Sequence, residues 1–503
     1  MKRRTHNKPI NFAKPAFFLI LAAVQLAVNI YIVTIAVSAW QEEIIVNLWM
    51  LAVAAVLYVP ALIVILRMPN HSTRLSWLGL LWLFPVVGGV WYAVYGGGMF
   101  AVRSRAAHRA LAGKNAHFIE QSPKVLEELS AYVGVHGQGT AILNVSGFPV
   151  VKNTRSTVFA DGEDFLRILV DELHKAKKFI FIECGKLNTG TVFREIFKVL
   201  EGKVEEEIEI RLIYDKHASG GRLPRGFRQS CRDAGIDCCE FGRLGVEHNN
   251  RMMIVIDGNV AFSSTCSSLS DELLYGGVTT YVLRGDAVWS SSIIFMNMWD
   301  TLAKTNFDYS LYRPNLSYLE EQSFVAVFGD SPADQQHPIR TAYLRMISSA
   351  QSYVYLQTPT VEPDVTLMQT LKLAADSGVD VRIVTGAPSA GAVASACTRA
   401  FYGLLLESGV KVYETDAQLN SKTMVCDDAS CLITTAAPDY RSTRRNHECA
   451  TWIAGGEAVL DIRDDFITAM DDSQEISLRA WRKNVSAPQR LWYAILRAFA
   501  PIA

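Results

Sequence analysis

Residues 420–427 read NSKTMVCD, between the strand-like runs VKVYE (410–414) and CLITT (431–435). A second stretch of the same outline, NRMMIVID, occupies 250–257. Asparagine opens both and aspartate closes both, with Lys422 at the third position of one and Met252 at the third of the other. Working outward, each stretch ends a longer succession of short β-branched runs and amphipathic runs, the pattern of an α/β domain. KKFIFIE, REIFKVLEGKVEEEIEIRLIYD, FRQSCRDAGIDCCEF and NRMMIVIDGNVAFSS make the first succession. SYVYLQTP, MQTLKLAADSGVDVRIVTG, FYGLLLESGVKVYE and NSKTMVCDDASCLITT make the second. Arg211 corresponds to Arg382 and Asp257 to Asp427 at nearly constant separation, so the halves read as an internal duplication. Such a repeat predicts two α/β sheets packed face to face about a pseudo-twofold axis, with one asparagine-led stretch from each meeting at the interface.

The 503 residues suffice for two or three domains. Half are hydrophobic and the mean hydropathy is +0.14, which places part of the chain in lipid. Nine scattered cysteines contain no CxxC pair, and ten dispersed histidines complete no zinc site. Buried reduced thiols are expected, and no metal. Without a basic stripe interleaved with aromatics, nucleic acid is not an expected partner.

Three apolar runs, 17–39, 48–66 and 75–94, approach the roughly 20 residues that cross a bilayer. They predict a transmembrane region over 1–100 with two to three membrane segments, hence a multi-pass membrane protein. Lys2, Arg3, Arg4, Arg67 and Arg74 put the N-terminus and the second connection in the cytoplasm. Three full crossings conflict with Arg103, Arg105 and Arg109, so either the third run is re-entrant and the large domain cytoplasmic, or the charge rule is broken here. The first α/β half is expected at 125–310, the second at 320–480, and a C-terminal amphipathic helix at 488–503. In that helix Leu491, Trp492, Ile495, Leu496 and Phe499 form an apolar stripe, read as a packed face or as a lipid anchor.

Taken in order, LSWLGLLWLFPVVGGVWYAVYGG, IEIRLIYD, the LQTP run at 356–359, LKLAADSGVDVRIV, LLLESGVKVYE, DYRS at 439–442, NHE at 446–448 and LRAFAP resemble the bacterial cardiolipin synthases of the phospholipase D superfamily. The likeness covers nearly the whole chain. It implies two phospholipase D-like halves and transphosphatidylation between phosphatidylglycerol molecules through a phosphohistidine, with no metal or organic cofactor. Each half of that family carries an HxKxxxxD signature, and here both histidine positions, Asn250 and Asn420, hold asparagine. A carboxamide nitrogen donates a hydrogen bond but is neither nucleophile nor general base near pH 7.

The family's lysine position is Met252 in the first half, and its later acidic position falls at Val278. Asp257, Lys422, Asp427 and Glu448 are retained. These, with the two asparagines, are the degenerate catalytic set, and His248 is a substitute nucleophile two residues from Asn250. Lys422 reads either as a headgroup contact, helped by Arg251, Thr434 and Thr435, or as the partner of Asp427 or Glu448 in an ion pair. The sequence thus implies a catalytically impaired relative that binds anionic phospholipid, phosphatidylglycerol or cardiolipin, at a membrane, or pairs with an active cardiolipin synthase. The alternative is an active synthase working through displaced residues.

Overall fold

The computed structural model describes residues 102–242, 247–314, 319, 321–334, 336–386 and 392–502, and before them His71–Leu83 with a few neighbours. The chain divides into a unit from Met1 to Val102 and a unit from Arg103 to Pro501. In the first unit the described helix is α1 (His71–Leu83), of 13 residues. No helix among the described residues is long and apolar enough to cross a membrane, so the multi-pass membrane expectation is corrected. Of the three apolar runs, 17–39 lies outside the described residues, as does 48–66 except for Leu62, Ile65 and Leu66. The third yields α1, which ends two residues ahead of Pro85 and falls well short of the roughly 20 residues a crossing requires.

The second unit opens with α2 (Val102–Asn115) and then builds two sheets. The first contains β1 (Thr154–Phe159), β2 (Phe179–Cys184), β4 (Glu209–Asp215), β5 (Asp237–Phe241), β6 (Met252–Ile256), β7 (Val260–Ser264) and β9 (Thr280–Gly285). β3 (Lys186–Leu187) and β8 (Ser268–Leu269) form a separate two-stranded ladder. The second sheet contains β10 (Phe324–Asp330), β11 (Tyr353–Thr358), β12 (Asp380–Thr385), β13 (Lys411–Glu414), β14 (Thr423–Cys426), β15 (Ser430–Thr434), β16 (Glu448–Ala454) and β17 (Gln474–Ile476).

The strand orders are β1-β9-β7-β6-β2-β4-β5 and β10-β16-β15-β14-β11-β12-β13-β17. Position for position they coincide, with β17 added at one edge. In each, a parallel ladder (β2-β4-β5 or β11-β12-β13) adjoins an antiparallel one that begins at the asparagine-led strand. The parallel strands are short, apolar and joined through helices, as crossover connections require.

Three apolar layers hold the sheets. Phe181, Val255, Val327, Cys431, Ile433 and Ile453 share a core between them. That core also receives α3 (Val288–Ala303), buried along most of its length because its sequence VWSSSIIFMNMW is apolar or small on every side. On the outer face of the second sheet, α4 (Ala392–Glu407) contributes Phe401, Tyr402 and Leu405 to another core. α5 (Glu457–Asp471) returns between the sheets with Val459 and Ile462. A third core, with Leu212, Met252, Ile254 and Phe262, backs the first sheet. The chain closes in α6 (Ala487–Phe499), started by a capping box between Ser486 and Gln489.

Candidate functional site

The two signature aspartates lie away from their asparagines. Asp257 follows β6 and Asp427 follows β14, each in a three-residue turn and each with positive φ, 51° and 55°. Asp257 accepts hydrogen bonds from the backbone N–H groups of Lys177, Lys178 and Phe179 at 2.8–3.0 Å. Asp427 accepts them from Gln351, Ser352 and Tyr353 at 2.8 Å. Each carboxylate thus ties its hairpin to the entry of the neighbouring central strand. Seven residues of near-extended chain separate it from its asparagine by roughly 20 Å, so both aspartates hold the frame and neither reaches the site.

The opposite ends of β6 and β14 meet across the halves. The backbone N–H of Asn250 donates to His447 O at 2.8 Å, and those of Asn420 and Ser421 both donate to Gly277 O at 2.8 Å. The side chains then differ. Asn250 Nδ2 donates to Glu448 Oε1 at 2.7 Å, a carboxylate that also receives Asn446 Nδ2 at 3.2 Å and the Thr435 hydroxyl. Asn420 Nδ2 finds only a main-chain carbonyl, that of Gly276, at 3.1 Å. Glu448 is fully buried, and burial pushes its carboxyl up to about 7 against the opposing pull of its hydrogen bonds and of the Lys422 charge.

Lys422 completes the junction. Its Nζ donates to Thr265 O at 2.9 Å and Asn420 O at 3.2 Å. Among the described residues no carboxylate stands within ion-pair distance of it, so the expected pairing with Asp427 or Glu448 is absent. Burial lowers its pKa, opposed by Cys266 and by the more distant charges of Glu448, Asp439 and Glu272. The neighbouring Cys266 thiol is itself pushed up by burial to about 11. It lies 3.6 Å from Glu272, which Lys186 binds.

Arg251 does not face this junction. Strand alternation turns it to the other side of Asn250, where it is buried. There it lies 3.7 Å from Glu183 and donates to the carbonyls of Glu448 at 3.0 Å and Asp330 at 3.4 Å. Asn249, on the same side, donates to Glu183 at 2.8 Å. Thr434 uses its hydroxyl on Cys449 O at 3.0 Å and on the Ala436 N–H at 3.1 Å, so it closes the strand end. His248 stands 3.3 Å from Asp215, apart from the group on Glu448. Met252, in the position of Lys422, is fully buried in an apolar core.

The structure therefore brings together Asn250, Glu448, Thr435, Lys422 and Asn420, and places Asp257, Asp427, Arg251, Thr434 and His248 elsewhere. It adds Asn446, Thr265, Cys266 and the Gly276-Gly277 carbonyls. Asn446 was within reach from sequence, since it shares a face with Glu448 two residues on. The carbonyl partners were not, because main-chain acceptors leave no mark in residue type.

A family model described as cardiolipin synthase, PLD-like domain, matches residues 343–470. An uncharacterized protein of Streptococcus mutans is 27% identical over 447 residues, spanning 85% of this chain and 96% of that protein. A cardiolipin synthase of Halalkalibacterium halodurans is 28% identical over 445 residues, covering 84% and 87%. One from a Geobacillus species is 27% identical over 444 residues, covering 83% and 86%. Among solved structures, a phosphatidylserine synthase of Haemophilus influenzae superposes with a TM-score of 0.56 at 13% identity, over 72% of this chain and 99% of that one, a likeness of fold. The chain is thus related to the cardiolipin synthases and carries an α/β fold of the phospholipase D kind.

Proposed function

We propose that this relative of the cardiolipin synthases binds the phosphodiester of an anionic phospholipid, phosphatidylglycerol or cardiolipin, at the junction of its two sheets, and modulates cardiolipin biosynthesis without carrying out the transfer itself. Lys422 carries the reading. Its half-buried ammonium has two protons on carbonyl oxygens, a third to give, and no carboxylate partner within ion-pair distance among the described residues. A cation partly withdrawn from water without a counter-charge is costly, and an arriving phosphate supplies one. Asn250 and Asn420 each spend one amide proton on the protein and keep another. They can donate to phosphoryl oxygens but cannot attack phosphorus. Pairing with an active cardiolipin synthase is the route by which binding would act on synthesis.

The test has two arms. Soluble short-chain phosphatidylglycerol is expected to raise the melting temperature of the wild-type protein and to leave Lys422→Met unchanged. An equal rise in both proteins ends the binding claim. In phosphatidylglycerol vesicles the purified protein is expected to form no cardiolipin, and turnover above the vesicle blank ends the claim of lost catalysis. A second reading, an active synthase using His248, draws on the contact between that imidazole and Asp215, an arrangement able to orient a base. Its mark is acid-labile, alkali-stable phosphate on His248 during turnover.

A further inference from the structure

The C-terminal helix turns its apolar stripe outward. Leu491 is 66% exposed, Trp492 53% and Ile495 41%, and no residue of α6 is fully buried. The spacing of 491, 492 and 495 puts all three on one face. The rest of the helix carries the attachment to the fold: Arg497 donates to Ala400 O of α4 at 2.6 Å, and Tyr493 is half-buried, as are Leu496 and Phe499 at the edge of the stripe. Just upstream, the Trp481 ring packs over Gly403 of the same helix, so the segment is fixed while its stripe is bare.

The charge carried by this segment has one sign. From Ser477 to the end of the chain there are five basic residues, Arg479, Arg482, Lys483, Arg490 and Arg497, and no aspartate or glutamate. Arg482 is partly offset by Glu407 at 2.8 Å, and Arg490 folds back onto the carbonyls of Val485 and Arg482, next to the stripe. Arg479, Lys483 and Arg490 thus belong to the same segment as Leu491, Trp492 and Ile495, with Glu407 of α4 the acid that reaches it. Indole and aliphatic side chains on a rigid helix, in a segment whose own charges are all cationic, match the boundary between headgroups and acyl chains of an anionic bilayer. A protein partner burying the same stripe would have to be acidic as well as apolar, whereas anionic lipid offers both in one surface.

We infer that α6 is an interfacial docking helix that lays the second α/β half on an anionic phospholipid surface through Leu491, Trp492 and Ile495, without crossing it. This surface is independent of the junction that holds Lys422. At 13 residues it is shorter than the roughly 20 a crossing requires.

The experiment follows the fluorescence of Trp492 in the full chain, taken as the difference between wild type and Trp492→Phe. Substituting an exposed ring spares the core. With vesicles of brominated phosphatidylglycerol, the Trp492 signal is expected to shift blue and be quenched. With brominated phosphatidylcholine it is expected to stay quenchable by aqueous iodide. Leu491→Gln/Ile495→Gln is expected to weaken partition to the anionic vesicles by about tenfold or more. The rise in melting temperature with soluble short-chain phosphatidylglycerol is expected to be unchanged in Leu491→Gln/Ile495→Gln, which separates this claim from the site proposal. A Trp492 signal that no brominated lipid quenches overturns the inference, and so does equal quenching by both lipids. Shielding from iodide in lipid-free protein that is lost on dilution overturns it in favour of a second copy of the chain on the stripe.

Discussion

The first asparagine-led strand and the second occupy the same place in sheets of the same order, yet each has kept a different part of one constellation. At Asn250 the acidic partner survives, since Glu448 reaches across from the second half, while the cation position is Met252, sealed in an apolar core. At Asn420 the cation survives as Lys422, while the residue in the place of Glu448 is Val278, and the amide turns to the Gly276 carbonyl instead. One acid, one cation and the amide donors are therefore assembled once, from both halves, with Glu448 outside ion-pair distance of Lys422. The frame around the two strands has not diverged at all: Asp257 and Asp427 make the same three backbone contacts in the same positive-φ turns.

The largest effects are expected where the halves agree. Asp257→Ala and Asp427→Ala each remove three charge-assisted bonds to backbone N–H groups and put alanine where φ is positive, costing about 3 kcal/mol or more apiece. Urea titration of the two variants measures this. A difference between them of more than about 1 kcal/mol would break the equivalence of the two frames.

Glu448 has no counterpart in the first half, and its effect is expected in the pH dependence. Burial raises its folded-state pKa from the ordinary 4.5 to about 7, so the folded protein holds that proton more tightly than the unfolded chain. The resulting stability is fully present below about pH 4.5. It declines as the pH rises through 7, by roughly 3 kcal/mol in all. Burial also raises Asp465 to about 6 and Glu362 to about 8, so the share of Glu448 is the difference between wild type and Glu448→Gln across that window. Val278→Gln is expected to leave the pH profile as it is. Parallel wild-type and Glu448→Gln profiles would show that the asymmetry at the acidic position has no energetic weight.

Much of this was legible in the residues. Alternating β-branched and amphipathic runs named the α/β class, because strand and helix periods differ, and the resemblance singled out Asn250, Asn420, Lys422 and Glu448, which lie where the halves meet. The aspartates came into the same set with the signature, which does not show that a strand carries its two ends far apart. Arg251 was misplaced although period-two alternation sets it opposite Asn250. The apolar N-terminal runs suggested crossings by length and composition alone, and the helix found within the third is too short. What sequence left open at the C-terminus, a packed or a bare stripe, depended on which side of α6 meets α4, and only packing decides that.

A smaller effect is expected at the cation that only the second half retains. Lys422→Met replaces a half-buried ammonium by an apolar chain of similar length, so without ligand the variant is expected to be as stable as wild type or up to about 2 kcal/mol more stable. In the presence of short-chain phosphatidylglycerol the order is expected to reverse. Calorimetric melting of both proteins with and without the lipid checks the pair of outcomes. A large loss of stability in the lipid-free variant would mean that Lys422 serves the fold, as Asp427 does.

The smallest effect is expected at His248, two residues before the first strand's asparagine. Its ring is one of four donors to Asp215, beside the backbone N–H groups of His217, Ala218 and Asn249 at 2.8, 3.0 and 3.2 Å. With three shorter bonds left in place, His248→Ala is expected to cost about 1 kcal/mol or less, read by urea titration. The stabilisation by phosphatidylglycerol should be unchanged, because the ring belongs to the Asp215 cluster and the phosphate site is built from Lys422 and the two carboxamides. A loss of lipid response in His248→Ala would draw this histidine into the junction and overturn its assignment to the Asp215 cluster.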